Sequence, residues 1–155
     1  MTPEEKVRLY FGFFNEVGII NQLSRAVFEG RLPPGVTVSH FTVLNHLIRV
    51  RDGQTPMTLS LAFQVPKTTM SHTLAGLVSR GLVDMRPNPA DGRSKRVWIT
   101  EAGRAFREEA ILSIAPDILQ LSQVVEPDRV AALMPALQRI REAMDAERLE
   151  RDGLT

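Results

Sequence analysis

Apolar residues recur along this chain with two different periods, and the change of period divides it into segments. The first segment carries Val7, Tyr10, Phe11, Phe13, Phe14, Val17, Ile19, Ile20, Leu23 and Val27, which surround more than one face of a helical wheel. Thr2-Pro3-Glu4-Glu5 reads as its start: a Thr cap, Pro at the first helical position, and Glu three residues after the cap to return the hydrogen bond. The helix should run to about Glu29, where Gly30 and Pro33-Pro34-Gly35 stop it. A helix this apolar is buried on two sides. In so short a chain, the second side implies a partner subunit.

A second helix follows a Thr37 or Ser39 cap, with Phe41, Leu44, Leu47 and Ile48 on one stripe. The run from Arg51 to Pro56 reads as a turn. A short helix is expected near Thr58, turning Leu59, Ala62 and Phe63 inward, and Val65-Pro66 ends it. A third run spans Lys67 to Arg80 and stops at Gly81, a residue suited to the left-handed position after a helix. The period then shortens to two. Leu82 to Arg86 and Arg96 to Ile99 read as short strands joined by a polar loop from Pro87 to Lys95. Thr100 can cap the next helix, with Ala102, Phe106, Ala110, Ile111, Ile114 and Ile118 as its apolar positions and a kink at Pro116. A last helix opens at Glu126-Pro127-Asp128. Its Val130, Leu133, Leu137, Ile140 and Met144 alternate spacings of three and four, a coiled-coil-like seam.

Two short helices joined by a tight break, followed by a hairpin, make a winged helix-turn-helix. The predicted fold is therefore mainly α with a small β-hairpin wing. Residues 37–104 form the winged lobe, residues 1–36 an N-terminal dimerisation helix, and residues 105–155 C-terminal dimerisation helices. The chain has 155 residues and no cysteine, which excludes disulfides, thiol chemistry and Cys-based zinc sites. Arg8, Asn15 and Glu16 interrupt the first apolar stretch, so it suits neither a signal peptide nor a membrane span. A cytoplasmic location is expected.

The net charge of +1 conceals a separation. Residues 67–107 carry eight basic and three acidic side chains, whereas residues 108–155 carry five basic and ten acidic. The basic middle points to an anionic partner. In the Lys67–Arg80 helix, Met70, Leu74 and Leu77 mark the buried face, and Thr68, His72, Ala75 and Ser79 lie nearly opposite. Ser71 sits on the flank and Lys67 at the N-terminal end. No acid occurs in this stretch. Small polar side chains suit a surface pressed into a major groove, where hydroxyls and an imidazole reach bases or phosphates and Ala meets a thymine methyl. An Arg at a hairpin tip can enter a narrow minor groove, and Asp91 can hold the loop or that Arg in place. The candidate DNA contacts are Lys67, Thr68, Ser71, His72, Ala75, Arg86, Arg93, Lys95 and Arg96.

The run from Asp91 to Gly103, DGRSKRVWITEAG, resembles the wing signature of the MarR (multiple antibiotic resistance regulator) family, a D-x-R loop and a strand ending in T-x-x-G. Gly81-Leu82-Val83 and the Thr37-x-x-x-Phe41-x-x-Leu44 helix match the same family. The resemblance implies a homodimer shaped by the terminal helices, a palindromic DNA operator, and repression released by a small anionic or aromatic effector. It places effectors between the first, second and fifth helices, where Tyr10, Asn15, His40, His46 and Arg49 are the candidate ligands. His72 stands where many relatives carry a long donor such as Arg, so base preference does not transfer. Gly76 costs its helix about 1 kcal/mol relative to Ala, which suggests either a close approach of backbone or phosphate or simple tolerance.

Other functions fit less well. Ser71 and His72 are adjacent on a helix and point about 100° apart, and no phosphate-cradling glycine loop or metalloprotease motif is present, so no enzyme and no cofactor is expected. His40 and His46 are six residues apart, a poor spacing for a metal. The alternative is a metal- or ligand-sensing winged-helix protein that acts mainly through protein contacts, for which an apolar wing would be expected in place of this basic one.

Overall fold

The computed structural model describes residues 1–151 and divides them into two compact units, one spanning residues 1–114 and the other beginning at Ala115. In the first unit the elements are α1 (Pro3–Glu29), α2 (Val38–Arg49), α3 (Pro56–Ala62), α4 (Lys67–Ser79), β1 (Val83–Asn88), β2 (Asp91–Ile99) and α5 (Glu101–Ser113). The second unit holds α6 (Ala115–Leu121) and α7 (Pro127–Arg151).

Local chemistry explains most of these boundaries. At α1, Thr2 and Glu5 form a reciprocal capping box with Pro3 in the first turn. At α2, Thr37 rather than Ser39 is the cap. Its reciprocal partner three residues on is His40, whose Nδ1 accepts the Thr37 backbone N–H at 3.0 Å. Helix α3 begins two residues earlier than the sequence suggests. Thr55 caps it and Pro56 opens it, so Thr55-Pro56 is a helix start where the sequence reads as a turn. At the end of α4, Gly81 takes the expected left-handed position at φ 68°.

The core of the winged lobe is one cluster formed by Val43, Leu44 and Leu47 of α2, Leu59 of α3, Met70, Leu74 and Leu77 of α4, and Leu82, Val83, Val97 and Ile99 of the hairpin. Each large aliphatic side chain buried in this way contributes about 1.5–3 kcal/mol. A smaller cluster of Leu32, Val38 and Ala110, with Phe28, Phe41 and Phe106 packed against it, ties the end of α1 to α2 and α5. Phe28 meets Phe41 edge-on at 4.5 Å. Arg107 of α5 adds a polar tie, donating Nε and Nη2 to Asn45 Oδ1 at 3.2 and 2.9 Å.

The wing is more extensively paired than a loop from Pro87 to Lys95 would allow. The strands are antiparallel from Val83↔Ile99 to Pro87↔Lys95, and Asn88 pairs again with Asp91, which leaves a turn at Pro89-Ala90. The Gln54 backbone extends the hairpin by a bridge to Val97. Asp52 secures this corner, its Oδ1 accepting the N–H groups of Gly53 and Ile99 at 2.9 and 3.0 Å.

Two further expectations are corrected. The helix after Thr100 is not one kinked rod: α5 ends at Ser113, and α6 starts two residues later at Ala115 with Pro116 in its first turn, where a missing N–H costs nothing. No residue of α1 is buried, and Val7, Tyr10, Phe11, Phe14, Val17, Ile19, Ile20, Leu23 and Val27 are all exposed within the chain. The face that should be covered on two sides has no cover in a single copy. In α7 the seam residues Val130, Leu133, Leu137 and Met144 are exposed and Pro135 lies inside the helix. Among the described residues no helix is long and apolar enough to cross a membrane.

Candidate nucleic-acid interface

Helix α4 buries Met70, Thr73, Leu74 and Leu77 and turns Lys67, Thr68, Ser71, His72, Ala75 and Ser79 to solvent. The 100° step per residue makes this division, with the core residues three and four apart. Thr73, the one polar residue on the buried side, donates its hydroxyl to the Thr69 carbonyl at 3.1 Å. At the N-terminus of α4 the cap is Pro66, which has no side-chain hydrogen bond to offer the first turn. The first-turn N–H groups and Lys67 together make an electropositive helix end suited to a phosphate.

The four wing cations are held differently. Arg86 is braced on the hairpin, donating Nη2 to Asp84 Oδ2 at 3.2 Å and lying 5.7 Å over the Trp98 ring. Arg96 is half-buried and donates Nε to Asn88 Oδ1 at 2.9 Å. Arg93 and Lys95 are exposed and make no ion pair among the described residues. Asp91 does not pair with the Arg93 guanidinium; its Oδ1 accepts the Arg93 backbone N–H at 3.0 Å and so holds the loop. Between the wing and the start of α3 lies a groove of about 630 Å³, lined by Thr55, Pro56, Met57, Met85, Asn88 and Arg93 among others.

Gly76 explains itself here. A Cβ at this position would collide with Nε2 of His40, so the glycine lets α4 settle directly over the buried imidazole. Arg80 completes the joint, donating Nη1 to the Gly76 carbonyl at 3.1 Å and Nη2 to the Gly35 carbonyl at 2.8 Å. The close approach inferred from sequence is therefore to a histidine side chain.

Burial, reinforced by the charges of Arg80 and then His72, holds the His40 pKa below the usual histidine value. The unfolded chain consequently binds a proton that the folded chain resists, and stability falls as pH drops below about 6.5. Protonated Nδ1 also cannot accept the Thr37 N–H. Chemical denaturation at pH 7.5 and pH 5.0 should show wild-type protein losing more stability than His40→Gln, which keeps a capping acceptor without a titration. Equal losses would exclude His40 as the cause.

The five residues considered for an effector do not come together in one chain. Tyr10 and Asn15 lie on the exposed face of α1, and Arg49 is exposed at the end of α2. His40 caps α2 beneath α4, whereas His46 hydrogen-bonds Gln54 Oε1 at 3.1 Å and lies against Phe63. A cleft of about 250 Å³ is instead bordered by Arg25, Ser39, Thr42, Phe63, Thr69 and Thr73. Arg25 there is paired with Glu29 at 3.3 Å, and the Thr42 and Thr73 hydroxyls already donate to the Ser39 and Thr69 carbonyls; sequence spacing did not reveal this grouping because it draws on three helices. Among the described residues no group of three His, Cys, Asp or Glu is arranged to hold a metal.

The profile of the MarR family matches residues 35–94, which run from the approach to α2 through the wing tip. Over this stretch the chain is similar to the MarR family. It is 29% identical over 126 residues to the multiple antibiotic resistance protein MarR of Escherichia coli strain K12, covering 80% of this chain and 87% of that protein. The crystal structure of apo wild-type MarR from E. coli superposes with a TM-score of 0.69 at 27% identity, covering 81% of this chain and 94% of that one. A mutant E. coli MarR complexed with operator DNA gives a TM-score of 0.66 at 27% identity, over 83% of this chain and 93% of the other. BldR of Sulfolobus solfataricus shares the fold with a TM-score of 0.72 at 23% identity, over 92% of this chain and 99% of its own. These MarR-family relatives are transcription regulators rather than enzymes.

Proposed function

We propose that this protein is a MarR-family regulator, a cytoplasmic homodimeric repressor that binds a palindromic DNA operator and is released by a small anionic or aromatic effector. The observation that carries the reading is the acid-free outer face of α4, with Lys67, Thr68, Ser71, His72 and Ala75 exposed beside the cationic wing. In this arrangement α4 enters the major groove, Lys67 and the α4 N-terminus take a phosphate, and Arg93 and Lys95 reach the neighbouring minor groove. Arg86 and Arg96, tied to the hairpin, contact the backbone from fixed positions. That the similar E. coli MarR was crystallised in complex with operator DNA supports DNA binding by this fold.

Residues 1–36 and 105–155, of which 152–155 lie outside the described residues, form the dimerisation segments, and residues 37–104 form the DNA-binding lobe. The exposed apolar face of α1 supports the first assignment. Effector binding at Tyr10, Asn15, His40, His46 or Arg49 requires the second protomer to bring those residues together, whereas the Arg25 cleft is available in each chain.

Selection of bound sequences from random DNA tests the core of this reading. A palindrome with half-sites about 10–10.5 base pairs apart, centre to centre, is expected, with affinity falling steeply as salt rises. Equal affinity for selected and random DNA across the salt range would overturn sequence-specific binding.

A further inference from the structure

We propose that Asn88 is the positioning residue of the wing, holding Arg93 in the orientation that meets DNA through three side-chain hydrogen bonds. The proposal rests on the DNA-binding reading above. Its starting point is an irregularity in the hairpin. Pro87 pairs with Lys95, but the next residue, Asn88, pairs with Asp91, so Gly92, Arg93 and Ser94 have no cross-strand partner. An unpaired excursion of three residues at the end of a ribbon is ordinarily mobile.

Here the excursion is wired to a buried side chain. Asn88 is 9% exposed, unusual for a carboxamide so near a hairpin tip. Its Oδ1 accepts from the Ala90 backbone N–H at 3.1 Å and from Arg96 Nε at 2.9 Å. Its Nδ2 donates to Ser94 Oγ at 2.8 Å. Two N–H donors converge on one atom, which fixes the orientation of the amide. Ser94 Oγ donates in turn to the Asp91 carbonyl at 3.1 Å, and Asp91 Oδ1 accepts the Arg93 N–H. One side chain therefore secures the turn before the excursion, the residue after Arg93, and the strand cation Arg96.

Arg93 itself is exposed. An exposed Arg on a mobile loop loses rotational freedom of both backbone and side chain when it binds, and a pre-ordered backbone lowers that cost. Asn88 thus acts on DNA affinity through Arg93, without touching DNA. The base of the hairpin, from Val83↔Ile99 to Arg86↔Arg96, pairs independently of it.

A double-mutant cycle on the full chain, titrated against the selected operator at several salt concentrations, tests this. Arg93→Ala should weaken binding about tenfold and reduce the salt slope by about one. Asn88→Ala should weaken it about fivefold with a reduced slope, and Ser94→Ala should do so less. In the Arg93→Ala background Asn88→Ala should lose most of its effect, and with Arg96→Ala added, which removes the other cation that Asn88 holds, it should change affinity less than about twofold. Thermal melting confirms that each variant is folded. If Arg93→Ala weakens binding but Asn88→Ala has no effect, or adds its full effect to that of Arg93→Ala, the positioning role is overturned and the DNA-binding wing stands. If Arg93→Ala leaves affinity unchanged, the wing reading fails and the role of Asn88 fails with it.

Discussion

Gly103→Ala should destabilise the folded protein by about 3 kcal/mol, at the upper end for overpacking a fitted site, and lower its melting temperature by roughly 10 °C. Elsewhere in a helix the same change gains up to about 1 kcal/mol, so the sign is the informative part. Gly103 lies in the first turn of α5, where a Cβ would stand well inside contact distance of the Leu82 carbonyl oxygen and 2.8 Å from Ile99 Cγ1. The carbonyl is backbone and cannot swing away, because it accepts the Thr100 N–H at 3.1 Å. Thr100 also donates its hydroxyl to the Gly81 carbonyl at 2.7 Å and accepts the Gly103 N–H at 3.0 Å. The added methyl must therefore pry α5 from Leu82, the residue that leads into β1, and break a helix cap together with it. Thermal or denaturant unfolding at fixed protein concentration measures the effect. Gly92→Ala, at a site with open space around its Cα, is the control and should be close to neutral. A stabilised Gly103→Ala protein would show that α5 does not need this approach.

This junction gives the T-x-x-G pattern a physical meaning. Thr100 closes the sheet and opens the helix with one hydroxyl, and Gly103 allows the helix to lie on the Leu82 carbonyl. The wing and α5 leave the same point, so their relative angle is set within four residues. Asp52 reinforces it from the opposite side, bonding Ile99 N–H with one oxygen and Arg104 at 3.4 Å with the other.

Features set by neighbours in sequence were readable from sequence. The Thr2 cap, the end of α4 at Gly81, the buried trio Met70, Leu74 and Leu77, and the exposed row from Thr68 to Ser79 follow from local chemistry and a fixed rotation per residue. What was missed depends on residues far apart. Gly92 and Pro87 weaken the appearance of a strand, but pairing across the hairpin overrides that preference and extends β1 to Asn88. The threefold role of Asn88, the seating of Gly76 on His40 and the cleft at Arg25 each join separate elements, and no periodicity marks them. Pro56 is different: its Thr-Pro signal was local and legible, but the surrounding Asp52, Gly53 and Gln54 drew it into the turn.

Phe11→Glu combined with Leu23→Glu should convert a dimer to a monomer in sedimentation at micromolar concentration and reduce operator affinity at least a hundredfold. Phe11 and Leu23 are 74% and 63% exposed on α1, among ten large apolar side chains of that helix that a solitary chain would leave in water. A patch of that extent is characteristic of an interface, and a carboxylate buried there without a partner is strongly unfavourable. The loss in affinity comes from geometry rather than from contacts. Two linked lobes bind two half-sites with a high effective concentration for the second, commonly a gain of 10²–10⁴, and separated lobes lose it. The winged lobe should remain folded, since its core cluster contains no residue of α1, and the far-ultraviolet spectrum and the pH response of His40 should persist. A wild-type protein that sediments as a monomer, or a doubly substituted one that remains dimeric, would remove α1 from the interface. In that event the half-site spacing expected of the operator would lose its basis as well.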